Sequence, residues 1–230
     1  MHRLSLPLRQ GLDALGLSLD EHQQNQLLSY VDLMGKWTRV YNLTAVREPQ
    51  EMLTHHVLDS LSVVLPLRRQ LDALRSEGFA SPSGDQVSRD MGKPLALLDV
   101  GSGAGLPGVV IAITCPDIQV TCLDAVAKKV AFIKQVAATL KLSNLTGLHA
   151  RIETLAQPYD IISSRAFASL ADFVSGSHKA LAGRGIWMAM KGKTPEEELV
   201  SLPDLAKVFH VEQLDVPGLD AQRCLVWMRG

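Results

Sequence analysis

Three cysteines in 230 residues, scattered at Cys115, Cys122 and Cys224, provide neither a disulfide framework nor metal-ligand spacing. Each sits in an apolar setting, which reads as a reduced core thiol of a cytoplasmic protein. No apolar run approaches the length of a bilayer span, and the N-terminus lacks a basic-then-apolar leader, so no membrane partner is expected. Internal repeats are lacking too. Also missing is any charge excess: the formal net charge is −1, so nucleic-acid binding is not written in the overall balance. The balance hides an asymmetry, however. Residues 95–193 hold ten Lys and Arg against six Asp and Glu, whereas residues 194–230 hold three against seven. A basic footprint, if present, must be local.

What the chain does have is the stretch from Leu95 to Gly108. Leu95–Val100 is an apolar run interrupted only by Asp99, the pattern of a strand buried on both faces. Gly101, Gly103 and Gly105 follow, allowing a sharp turn with no Cβ between its N–H groups and a ligand. Val109, Val110, Ile111 and Ile113 then read as a helix packing back on the sheet. Strand, glycine turn and helix form the entry to a nucleotide-type pocket. Gly103-x-Gly105-x-x-Gly108 fits the dinucleotide pattern, a weak signal alone. Asp99 argues against it, because a carboxylate there would face the phosphates of NAD or FAD. S-adenosylmethionine has no phosphate and carries positive charge. Asp124 closes the next strand, where its two oxygens could accept both ribose hydroxyls. The bland alternative is that both aspartates cap turns.

Asp99-x-Gly101-x-Gly103-x-Gly105 resembles motif I of the class I S-adenosylmethionine-dependent methyltransferases. Three more motifs narrow the resemblance: Asn42-Leu43-Thr44-Ala45, His56-Val57-Leu58-Asp59-Ser60-Leu61 and Ser164-Arg165-Ala166-Phe167-Ala168. Together with Gly105-Leu106-Pro107-Gly108, they resemble the bacterial small-subunit rRNA guanine-N7 methyltransferases, the RsmG or GidB family, from about Leu27 to the C-terminus. The resemblance implies a seven-stranded methyltransferase sheet, S-adenosylmethionine as donor with S-adenosylhomocysteine as product, and N7 of guanine 527 in 16S rRNA as target. It implies a donor pocket of Asp99, Gly101, Ser102, Gly103, Gly105, Leu106, Asp124 and Ala125, with Ile152 and Glu153 at the adenine and Arg165 also in the pocket. For Glu153, charge complementation at a helix start is the alternative. Arg165 could serve the methionine carboxylate or a phosphate. No metal is expected.

The organisation expected is an α/β, doubly wound, mostly parallel seven-stranded Rossmann-like domain over residues 95–230, preceded by a helical extension, 1–75, and a flexible linker, 76–94. The linker is rich in Ser, Gly, Pro and Asp and is longer than the resembled family usually carries here. In the extension, Ser18-x-x-Glu21 suggests a capping box before Leu27, Leu28, Val31 and Met34. Pro49 suits the first turn of a helix reaching Pro66. Lys36 to Asn42 joins two cations to Trp37 and Tyr41, which could stack on RNA or dock onto the catalytic domain. Strands are expected near 95–100, 118–123, 145–149, 159–164 and 185–190, with a terminal hairpin of Lys207–Leu214 and Cys224–Met228.

Absences narrow the reaction. The Asn/Asp-Pro-Pro-aromatic motif of exocyclic-amine methyltransferases does not occur at Ser163–Phe167, and no cysteine is placed as a nucleophile for pyrimidine C5. Guanine N7 needs neither, since its lone pair is exposed and carries no proton. Alignment then matters more than a general base. Arg151, Lys191 and Arg223, at strand ends, are candidates to hold RNA, with Lys193 beside them. Lys128, Lys129, Lys134 and Lys141 read as a solvated helix face. His55 and His56 point about 100° apart on a helix and cannot pair as ligands. Against a monomeric 16S rRNA methyltransferase acting on the small ribosomal subunit stand two rivals, a small-molecule methyltransferase and a non-catalytic ribosome-assembly factor.

Overall fold

Alternation of apolar side chains organises a sheet buried on both faces. Leu97, Ile161, Ile186, Met188, Leu225 and Trp227 join one apolar cluster; their neighbours Leu98, Ile162, Trp187, Ala189, Val226 and Met228 join another. The computed structural model describes residues 2–77, 94–165, 167 and 169–230. Its strands are β1 (Leu95–Val100), β2 (Ile118–Asp124), β3 (Leu145–His149), β4 (Tyr159–Ser164), β5 (Leu181–Lys191), β6 (Lys207–Leu214) and β7 (Arg223–Arg229). They form one seven-stranded sheet in the order β3-β2-β1-β4-β5-β7-β6. β1 to β5 pair in parallel, and β7 runs antiparallel between β5 and β6. The α/β Rossmann-like class expected from the sequence is therefore the one present. β5 begins at Leu181, upstream of the expected 185, and pairs across a bulge between Tyr159 and Ile161. From β1 the chain winds outward through β2 to β3, and from β4 it winds the other way. This places a topological switch point, and hence a crevice, at the carboxyl ends of β1 and β4.

The helical residues before the sheet are α1 (Ser5–Ala14), α2 (Glu21–Tyr41), α3 (Pro49–Met52), a π turn (Leu53–Leu58), α4 (Asp59–Leu61) and α5 (Val64–Glu77). They share one apolar cluster with α6 (Gly108–Thr114), α7 (Ala127–Leu140) and one face of the sheet. The opposite face is covered by α8 (Leu170–Ser177). Most of the linker expected over 76–94 lies outside the described residues.

Two local expectations need correction. The capping box at α2 is Asp20-x-x-Gln23, not Ser18-x-x-Glu21. Asp20 accepts the Gln23 N–H at 2.7 Å, and the Gln23 side chain accepts the Asp20 N–H at 3.2 Å. The helix expected from Pro49 to Pro66 is interrupted by the π turn, and Pro66 belongs instead to the first turn of α5, where a missing N–H costs nothing.

A polar stripe fixes α2 to the sheet layer. Gln23 donates to the Ile113 carbonyl at 2.9 Å, Gln26 to that of Leu140 at 2.8 Å and Tyr30 to that of Ala104 at 2.6 Å, while the Trp37 indole donates to Gln135 Oε1 at 2.9 Å. Residues three or four apart share a helix face, and the first two bonds reach carbonyls in the last turns of α6 and α7, which lack helical partners. Trp37 also packs edge-on against Phe132 with ring centroids 5.4 Å apart. Of the two readings for this aromatic pair, docking holds for Trp37. Tyr41 remains exposed, with Lys128 Nζ 5.7 Å from its ring centre.

Tyr30→Phe keeps the ring packing but leaves the buried Ala104 carbonyl without its donor. Urea unfolding is expected to show a loss of about 1–2 kcal/mol. An unchanged midpoint and slope would show that this carbonyl finds another partner.

Candidate functional site

The site begins with backbone. After β1 the chain passes Gly101, Gly103 and Gly105 at φ +65°, +60° and +88°, conformations that side chains disfavour. Ser102 N–H donates to the Leu123 carbonyl at 3.0 Å, and the N–H groups of Gly105 and Leu106 return to the Ser102 carbonyl at 2.8 and 2.9 Å. A Cβ built on Gly101 meets nothing within 4 Å, and one on Gly103 only the Gly101 carbonyl at 4.0 Å. The outer face of the turn is thus open. Its inner face is closed: a Cβ on Gly108 would collide with the Cys122 sulfur and lie 2.8 Å from Asp99 Oδ2.

Asp99, expected on the donor side, lies beneath the turn with no exposure. Its Oδ2 accepts the Gly108 N–H at 2.9 Å and its Oδ1 the Ser163 hydroxyl at 3.0 Å. Burial pushes its carboxyl up to about 7, while those two donors pull the other way. Asp124 stands nearer the ligand face. One oxygen accepts Gly103 N–H at 2.9 Å, the other Val126 N–H at 2.8 Å, and Lys129 Nζ approaches to 3.7 Å. Since each carboxylate oxygen offers two lone pairs, acceptor capacity remains.

An open cleft lies over this turn. Gly101, Ser102, Gly103, Ala104 and Leu106 form its floor, and Leu43, Thr44, His56, Lys129 and Arg165 its walls. The N-terminal helical layer therefore contributes to the site directly. His56 Nδ1 donates to the His55 carbonyl at 3.0 Å, which leaves Nε2 to accept the Thr44 hydroxyl at 2.7 Å. Burial first, and then the nearby Arg165 charge, lower its pKa to about 4, so the ring is neutral at physiological pH. His55, one residue away, is exposed. The π turn holds both histidines, and Arg165 is tied to it through the His55 carbonyl at 3.2 Å and to the start of α4 through Asp59 Oδ2 at 3.1 Å.

The structure brings together Gly101, Ser102, Gly103, Leu106 and Arg165 from the expected donor set, with Gly105, Asp99 and Asp124 behind or beside the turn. Ala125 is exposed and accepts from His149 Nε2 at 3.1 Å. Ile152 and Glu153 sit on a 3-10 turn after β3, the first buried and the second exposed, and neither lines the cleft. Of the candidate RNA cations, Arg151 is exposed. Lys191 is held by Glu198 at 2.8 and 3.0 Å, and Arg223 Nε by Asp59 at 2.8 Å. Lys129 leaves the solvated-face reading, because it lines the cleft. Thr44, His56 and Leu43 stood in the sequence only as motif letters. Their signal was the motif itself, since periodicity gives no reason for a helical layer to face the sheet's carboxyl edge.

The family model for rRNA small subunit methyltransferase G, GidB, matches residues 23–74 and 86–226. Ribosomal RNA small subunit methyltransferase G of a Polaromonas species is 63% identical over 222 residues, 96% of this chain and 92% of that protein. Its counterpart in Albidiferax ferrireducens is 62% identical over 229 residues, covering 100% and 98%. That of Paracidovorax citrulli is 58% identical over 226 residues, covering 98% and 90%.

The lowered pKa of His56 has a signed consequence. Between about 4 and 6.5 the unfolded chain binds a proton that folded His56 refuses, so its contribution is complete above 6.5 and is lost as pH falls toward 4. Asp99 acts oppositely: from its ordinary 3.8 to about 7 the folded state retains a proton, so stability falls as pH rises. His56→Gln removes one of two opposing slopes. The stability difference, wild type minus variant, should grow from pH 4.5 to 6.5 by about 2 kcal/mol in urea titrations. A difference independent of pH would show that His56 is not held neutral.

Proposed function

The chain belongs to the GidB family of rRNA small subunit methyltransferases, and from that premise we propose that it transfers a methyl group from S-adenosylmethionine to N7 of a guanine in small-subunit rRNA. The resemblance gives that guanine as 527 of 16S rRNA, with the protein acting in the cytoplasm as a monomer. The observation that carries N7 is the chemistry of the cleft lining. Among the described residues, its titratable groups are His56, Lys129 and Arg165. His56 has both nitrogens engaged and the other two side chains are basic, so none of these three lining groups is placed to take a proton from a target base. Asp124 beside the turn is held by two backbone N–H donors. Cys115, Cys122 and Cys224 are all buried and outside it. An exocyclic amine would need to lose a proton, and a pyrimidine C5 would need a covalent nucleophile. N7 offers an unprotonated lone pair, so holding donor and base in line suffices.

The donor, when bound, supplies a methyl group on a sulfonium. The chain's part is to hold and orient. Glycines with positive φ and an open outer face let a ligand lie against backbone N–H groups. Asp124, already fixed by two N–H donors, presents its remaining lone pairs to ribose hydroxyls. Ile152 and Glu153 remain the proposed adenine side, and Arg165 binds either the donor carboxylate or an RNA phosphate. No residue of the cleft requires a metal for these roles.

Two measurements test this reading. Incubation of the protein with 16S rRNA and labelled donor, followed by nucleoside analysis, should yield 7-methylguanosine at one position, the position left unmethylated in a deletion strain. Label on an exocyclic amine or a ring carbon would overturn it. Calorimetry should detect S-adenosylmethionine and S-adenosylhomocysteine but not NAD, and Asp124→Ala should weaken donor binding by about 1–3 kcal/mol. Equal binding of NAD would remove the charge argument.

A further inference from the structure

Directly after the π turn, α4 opens with Asp59, whose side chain is 2% exposed and faces two arginines. Arg165 follows β4, and Arg223 opens β7, which runs antiparallel to β5. Both guanidiniums therefore reach the carboxyl edge of the sheet, where the cleft lies. Asp59 Oδ2 accepts from Arg165 Nη1 at 3.1 Å and Oδ1 from Arg223 Nε at 2.8 Å. Backbone carbonyls complete the hold: His55 accepts from Arg165 Nη1 at 3.2 Å and Gln222 from Arg223 Nη1 at 2.8 Å. The guanidiniums can stand no further apart than one carboxylate and two hydrogen bonds allow.

The two arginine side chains are 25% and 24% exposed, unlike the carboxylate between them. Nη2 of each makes no hydrogen bond among the described residues. A guanidinium carries five N–H donors in a rigid fork suited to phosphate oxygens. Two positive groups over one buried negative group leave a single net positive charge at the rim, which one phosphodiester neutralises.

We propose that Asp59 is a positioning residue whose buried carboxylate sets the Arg165 and Arg223 forks side by side as a two-armed site for one RNA phosphodiester at the edge of the cleft. This rests on the rRNA reading above. The carboxylate is itself buried, so its charge fixes the cations while little of it is exposed to the strand. A π insertion suits the task, because one extra residue in the turn re-aims side chains that an α-helix would direct elsewhere.

The test turns on a sign. On charge alone, removing an acid beside an RNA site tightens binding. Asp59→Asn can still accept from one guanidinium but presents N–H groups to the other, so positioning demands the reverse. Binding of a 16S rRNA fragment, measured across a salt series, should weaken about tenfold, with the salt slope shallower by about one phosphate contact. S-adenosylmethionine affinity should stay within about twofold, and methylation should show a raised KM for RNA with kcat near wild type. Tighter or unchanged RNA binding overturns the proposal. If Asp59→Asn loses donor binding and so its fold, Arg223→Lys decides: it keeps the charge and can pair with Asp59, but lacks the fork. It should bind RNA about as weakly as Arg223→Gln, and wild-type affinity in the lysine variant overturns the proposal. Should wild type methylate rRNA while Asp59→Asn matches it, this inference falls and the functional reading stands. A wild type that methylates no rRNA removes both.

Discussion

A carboxylate with no access to water holds the centre of this fold. Asp99 accepts the Gly108 N–H at the start of α6 and the Ser163 hydroxyl from β4, and it stands in register with Cys122 of β2. One side chain thereby joins the two strands at the switch point to the helix that leaves the glycine turn. Burying an acid is unfavourable unless donors meet it. Here two donors do so, and the remaining penalty appears as a carboxyl pushed up to about 7. The space is closed so tightly that residue 108 must be glycine, because a side-chain carbon would strike Asp99 and Cys122. The turn above is then held at a fixed height over the sheet, with its outer face left for a ligand.

The helical layer is part of the same construction. Tyr30 holds the turn from behind through the Ala104 carbonyl, and the other polar residues of α2 take up carbonyls or side chains of α6 and α7. Apolar residues of α1, α2, the π turn and α5 belong to the cluster that covers one face of the sheet. The layer has no core of its own separate from the sheet. This explains how Leu43, Thr44 and His56, distant in sequence from the glycines, come to wall the cleft.

Charge is arranged by pairing more than by accumulation. Lys191 bonds Glu198, which also accepts the Leu170 N–H at 2.6 Å at the start of α8; Arg165 and Arg223 share Asp59; and Lys129 leans on Asp124. A chain with formal net charge −1 can thus present cations at one edge of the sheet while its acids lie between or behind them. Partly buried pairs of this kind depend on geometry far more than surface pairs do, since losing one partner strands a poorly solvated charge.

The sequence by itself determined the sheet and the turn. Leu95–Val100, the glycines after it and the Val-rich helix that follows are short-range patterns, and their meaning does not depend on distant residues. The period-two alternation of Leu97 and Leu98, or of Trp187 and Met188, likewise dictates two buried faces. Tertiary structure alone decided which charges are free. Lys191 and Arg223 carry strand-end positions in sequence, but their acids are Glu198 and Asp59, one on a short helix and the other 164 residues away. It also decided that Asp99 works under the turn, that Lys129 faces the cleft, and that His56 in the π turn and Asp59 just after it meet different partners. Periodicity reports which face of an element is apolar. Which polar groups meet across elements depends on how those faces are stacked, and only the packed chain contains that information.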